Sequence, residues 1–304
     1  MIPGLGQLVR SGVRAVSQYT GMLLALFVIH LLVAWGAGII IMQILAEAFA
    51  HRPLFDDAVD GDLIALLEVL GNAEAVFFSV RWVAVGAVIA WVMIGWFLAG
   101  GVLSVFTERP RGRTETARCF GAGGASHFLV FARLALVTAL YHLPVLFLLF
   151  LGLDHIATEL EYALTVGELV VPLLVGLLPA AIAHVIVSTV IDYARAELVL
   201  RRPTHESLGA TRAAFRATGY VFRRPVALLH VGVYWLFFVG ISLAFAWLAQ
   251  GRAMLGGGGA LALLALRQGV ALLRLGARVA VIAGQVDLTA TRPPPPREVP
   301  PAEG

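Results

Sequence analysis

The chain contains no lysine and one cysteine, and only 13% of its 304 residues are charged. A soluble domain carries about 25% charged residues and roughly 45–50% apolar ones, whereas this chain is 60% hydrophobic with a mean hydropathy of +0.88. That balance excludes a disordered chain and a soluble cytosolic enzyme. All 22 basic residues are arginine, which reads as compositional bias rather than mechanism. Cys119 stands alone, so no internal disulfide is available and a secreted disulfide scaffold is excluded. Enzyme signatures are missing too: no His-Glu-x-x-His, no Gly-x-Ser-x-Gly, no Walker loop, and no Cys/His spacing for a metal or haem. Ser126 and His127 adjoin in sequence, which does not make them nucleophile and base. The expectation is a non-catalytic protein without cofactor or metal.

What the chain does have is long apolar runs. Six segments reach the roughly 20 residues that a membrane-crossing helix needs: 21–46, 78–105, 128–151, 169–191, 226–249 and 260–286. Their apolar residues do not alternate with polar ones, which argues against barrel strands. Helices satisfy their own backbone polar groups in lipid, so the predicted fold is all-α, a polytopic bundle of six transmembrane helices with short amphipathic interfacial helices. Residues 1–290 form one domain in this reading. Residues 291–304, with the Pro293–Pro296 run, form a disordered tail. Arg10 and Arg14 precede the first run as in a signal peptide, but the run far exceeds the roughly 7–15 residues of a signal core, so it is expected to be a retained span.

Charge sets the orientation. Arg10 and Arg14, then Arg109, Arg111, Arg113 and Arg118, then Arg195 to Arg224, then Arg292 and Arg297 all fall on one side. The opposite loops carry acids: Asp56, Asp57, Asp60, Asp62, Glu68 and Glu74, then Asp154, Glu159, Glu161 and Glu168. Both termini are therefore expected in the cytoplasm. The basic isoelectric point near 9.4 follows from this arrangement, and nucleic-acid binding is not expected. The aspartate cluster at 56–62 lacks the alternating ligands and distal glutamate of a calcium loop and reads as a solvated acidic loop.

A threefold pattern runs through the chain. Arginine-bearing amphipathic segments, Leu8–Tyr19, Thr116–Phe128 and Leu208–Phe222, precede the odd spans, and Arg-Pro pairs at Arg109, Arg202 and Arg292 follow the even ones. This suggests three units of interfacial helix plus two spans, although the orientation rule alone also places arginines there. In Leu208–Phe222, Leu208, Phe215 and Phe222 recur at sevens while Arg212 and Arg216 share another face, as in helices that lie among anionic headgroups. The glycines at 121, 123 and 124 follow no strand and read as a joint or a close-packing point.

The sixth span breaks the charge rule. Arg267, Arg274 and Arg278 fall within roughly 40° of one line at about 100° per residue, and Gln285 returns to it. Each arginine at mid-depth costs about 2.5–3.5 kcal/mol, against about −0.3 to −0.6 for an aliphatic residue. Three accounts compete: internal partners, with Asp192 and Glu197 available to Arg278; a polar cavity for an anionic solute or lipid headgroup; or contact with another subunit. His30, His184 and Tyr234 lie at a depth similar to Arg278, and His184, Ser188, Asp192 and Arg195 share one face of the fourth span. Tyr141, His142 and Pro144 mark the third span, and Pro172 and Pro179 the fourth, where kinks free carbonyls for polar partners.

Phe97–Leu103, Gly124–Leu134, Asp192–Arg195 and the sixth span through Gln285 resemble a diffuse group of uncharacterised bacterial six-span inner-membrane proteins. The resemblance implies a bacterial inner membrane, assigns no activity and carries over no functional residue. The expected role is a membrane subunit or scaffold, with a protein partner or a second copy of the chain beside it. The alternative is a carrier or lipid-handling protein whose sixth-span arginines hold an anionic ligand, with the lipid bilayer and its anionic lipids as partners.

Overall fold

A computed structural model describes residues 4–49, 74–160, 168, 170–201, 209–249 and 256–291. Among them are eight helices and no strand: α1 (Leu5–Gln18), α2 (Thr20–Phe49), α3 (Glu74–Glu108), α4 (Arg113–Leu160), α5 (Val170–Leu200), α6 (Ala210–Arg223), α7 (Pro225–Ala249) and α8 (Gly256–Ala290). Six of these, α2 to α5 with α7 and α8, are long and apolar enough to cross a membrane. The acidic segment at 56–70 and the proline-rich tail lie outside the described residues.

The helices exceed the apolar runs that predict them. The third continues from Arg113 through to Leu160, so 116–128 is the first part of a long helix and not a separate interfacial one. The fourth extends to Leu200. The two true elbows have local causes. Arg224 precedes Pro225, which disfavours helical backbone at the preceding residue, and Arg224 is extended at φ −130 and ψ 89. Tyr19 departs from helix at φ −110 and ψ 37. Nothing comparable interrupts 116–128, and the helix also stays continuous through Pro144 and Pro179.

The chain divides into two compact units, Met1–Leu23 with Ala99–Gly304, and Leu24–Leu98. The second unit is the hairpin of α2 and α3. Inside it the His30 ring stands edge-on to Trp91 with centroids 4.6 Å apart, and His30 Nδ1 lies 2.7 Å from the Leu26 carbonyl.

The first unit is built around the arginine-rich helix ends. Its core comprises the last part of α3 (Val105, Phe106), α5 from Thr189 to Val199, and α8 from Val279 to Thr289. Each amphipathic segment packs on the end of the preceding even span. α4 begins against α3, where a Cβ on Gly100 would sit 2.9 Å from the Gly123 carbonyl oxygen and one on Gly101 would sit 2.7 Å from the Phe120 ring. Small residues at 100, 101 and 123 therefore mark close packing, not a joint. α6 lies against α5 through Tyr193 and Tyr220, whose rings are 5.3 Å apart. α1 lies against α8, where Gly12 meets the Ala280 backbone. The series closes on itself, because the first elbow packs on the last span.

Corresponding positions agree in this scheme. Met22, Leu134 and Ala227 are buried, as are Leu26, Thr138 and Val231 on the odd spans. On the even spans Val105, Leu198 and Leu288 are buried, as is Ala194, while a Cβ on Gly101 would meet the Phe120 ring and one on Gly284 would meet the His230 ring of α7. The same buried positions thus recur in the three segments that carry an elbow and two spans. Farther along the helices, Leu136, Leu140, Phe147, Phe150, Leu236 and Leu243 stand exposed, as lipid-facing residues do.

Candidate functional site

α8 presents its arginines toward α5 and α7. Arg278 Nη2 donates to Asp192 Oδ2 at 2.5 Å, and its guanidinium lies 5.9 Å from the Tyr234 ring centroid. Asp192 is buried, and its other oxygen is 3.8 Å from Arg195 Nη1. Arg195 in turn lies 5.8 Å from the centre of Phe131. One turn earlier on α8, Arg274 stacks 4.6 Å from Phe238 and donates through Nη2 to Ser242 Oγ. Ser242 Oγ itself donates to the Phe238 carbonyl at 2.5 Å. Hydrogen bonds, a shared carboxylate and three aromatic faces thus replace the hydration these guanidiniums would have in water.

Arg274, Arg278, Asp192 and Tyr234 are therefore brought together as the sequence predicts. His184 joins their margin through aromatic contacts, 6.4 Å from Trp235 and 6.2 Å from His142. Two residues of α8 do not join. Arg267 is exposed near the start of α8. Gln285 is 1% exposed in the packed end of α8, its carbonyl accepting from Thr289 Oγ1 at 2.7 Å. His30 belongs to the hairpin of the second unit. The proposed Glu197 partnership with Arg278 also gives way to another arrangement.

Glu197 is fully buried and pairs with Arg201 Nε at 3.1 Å and Arg216 Nε at 2.9 Å. Arg216 thus turns into the α5–α6 interface and not toward headgroups. The i, i+4 spacing of Arg212 and Arg216 cannot show this, because the helix face is set by the alanines at 213, 214 and 217, all fully buried. Phe215 and Phe222 are both exposed on α6.

Ser126 Oγ is 3.1 Å from His127 Nδ1, but that nitrogen also lies 2.9 Å from the Gly123 carbonyl. A carbonyl only accepts, so Nδ1 carries the hydrogen and cannot serve as the base for Ser126. No group of three or more metal-ligating side chains occurs among the described residues. No protein family, curated protein or solved structure matches this chain. What the fold and site define is a class, the six-span helical membrane protein.

Proposed function

We propose that this chain is a non-catalytic subunit or scaffold of a bacterial inner membrane, with both termini and the arginine-rich helix ends in the cytoplasm. The observation that supports this reading is the internal partnering of Arg274 and Arg278. Guanidiniums engaged by Asp192, Ser242 and aromatic rings are satisfied inside the bundle, which leaves its lipid-facing flanks to a membrane partner or a second copy. Arg274→Leu tests it. The variant inserts and assembles at least as well as the wild type and keeps the same co-purifying proteins and lipids by mass spectrometry. A specific anionic lipid lost from this variant would instead favour a carrier or lipid-handling protein with its ligand on α8. That second reading draws on one detail, the buried Nε of Arg274, which has no hydrogen-bond partner. Orientation is read with a C-terminal tag, which a protease removes from inverted vesicles and spares in right-side-out ones.

A further inference from the structure

The three elbows are not equally filled. On α4, His127 and Phe131 occupy the space between elbow and span ends, their rings 5.9 Å apart. On α6, Tyr220 occupies the corresponding space and donates to the Leu288 carbonyl at 3.1 Å, with Arg216 held by Glu197. On α1 the residue corresponding to His127 and Tyr220 is Ala15, and the one corresponding to Arg216 is Ser11. Here a cleft of about 160 Å³ remains, bounded by α1 and the ends of α3 and α8.

Its walls are polar and net basic. Arg14, Gln18 and Tyr19 come from α1, Arg109 from the turn after α3, and Asp287 from α8. The carboxylate is already engaged, since Arg109 Nη2 donates to Asp287 Oδ1 at 2.7 Å. Arg14 is exposed and has no ion pair among the described residues. Burial pushes the Tyr19 phenol up, against the pull of the Arg109 guanidinium, and its hydroxyl donates to the Pro110 carbonyl at 3.4 Å, which fixes the ring in the wall of the cleft. The cleft sits at the arginine-rich end of the spans, which the orientation proposed above puts at the cytoplasmic headgroup layer.

We propose that this cleft binds the phosphate of an anionic headgroup, with Arg14 as its principal ligand and Arg109 and Gln18 beside it. A phospholipid and a soluble phosphate share this chemistry, and the test separates them. The purified full-length chain is titrated in detergent with phosphatidylglycerol, and bound lipid is counted by native mass spectrometry, with and without inorganic phosphate. Arg14→Gln removes the charge, and Ala15→Tyr fills the cleft with the side chain found at the corresponding place on α6. Each weakens binding about tenfold, the scale of one charge-assisted hydrogen bond. Arg10→Gln, on α1 but outside the cleft, changes it less than about twofold. Displacement by inorganic phosphate identifies a soluble ligand, and lipid binding that resists phosphate identifies a bilayer lipid. Wild-type binding in Arg14→Gln overturns the site, as does an Arg10→Gln loss equal to that of Arg14→Gln. Because Arg14 is exposed, its substitution leaves the fold intact and the result readable even where Ala15→Tyr perturbs α1.

Discussion

Asp192 and Glu197 carry the largest energetic stakes of any single residues here, because both are buried and both hold arginines. Removing one partner of a buried pair leaves an uncompensated charge and costs about 3–5 kcal/mol, whereas replacing both by apolar groups is often neutral. Arg278→Leu and Asp192→Leu should each lower unfolding stability in detergent by that amount. The double variant should recover most of the loss, and a double-mutant cycle measures the recovery. Glu197→Ala should cost a similar amount, since it strands both Arg201 and Arg216 in the α5–α6 contact. Arg109 is different. Its φ of 51 is a left-handed conformation that costs a non-glycine residue roughly 1–2 kcal/mol, and its pair with Asp287 is exposed enough to contribute about 0–1 kcal/mol. Arg109→Gly should therefore keep or slightly raise the melting temperature while weakening phosphate binding in the α1 cleft.

Among the elements, the elbows and the even-span ends form the working contacts, and glycine substitutions distinguish them. A Cβ on Gly123 would collide with Ser104, while one on Gly219 meets nothing. Gly123→Ala should destabilise the α3–α4 contact. Gly219→Ala on α6 should stabilise the protein by about 0.5–1 kcal/mol, the ordinary gain of removing a mid-helix glycine. Thermal unfolding of the pair checks both signs. The six spans were legible in the sequence because hydropathy registers desolvation directly, and Arg278 with Asp192 was legible because a charge in lipid needs a partner. The extension of α4 and α5 beyond their apolar runs was not legible from hydropathy, since both extensions carry charged and small residues, and only Cys119, Gly123, Gly124 and His127 of the first, with most of Asp192–Val199 of the second, are buried. The inward turn of Arg216 was hidden for the same reason: alanine buries well at a tight helix contact but reads as neutral in a hydropathy profile.

At the scale of the whole chain, the lone cysteine reports on packing. Cys119 is buried in the α3–α4 contact and donates to Glu108 Oε2 at 3.4 Å. Thiol labelling should be slow in the native protein and should accelerate with the main unfolding transition, and rapid labelling without unfolding would show that α4 opens locally. Arg-Pro exits and basic elbows suggest a threefold pattern in the sequence, but orientation alone produces both, and the residues buried at matched places on the odd spans are not legible there. The packing of the first elbow on the last span bears on how the protein is made. Gly12 leaves the ribosome early, yet the Ala280 backbone it packs against is synthesised only near the end of the chain. At about 5–20 residues per second, that interval is roughly 15–50 s. For all that time the face of α1 around Gly12 lacks the α8 backbone it packs on, so this contact forms only after α8 has emerged.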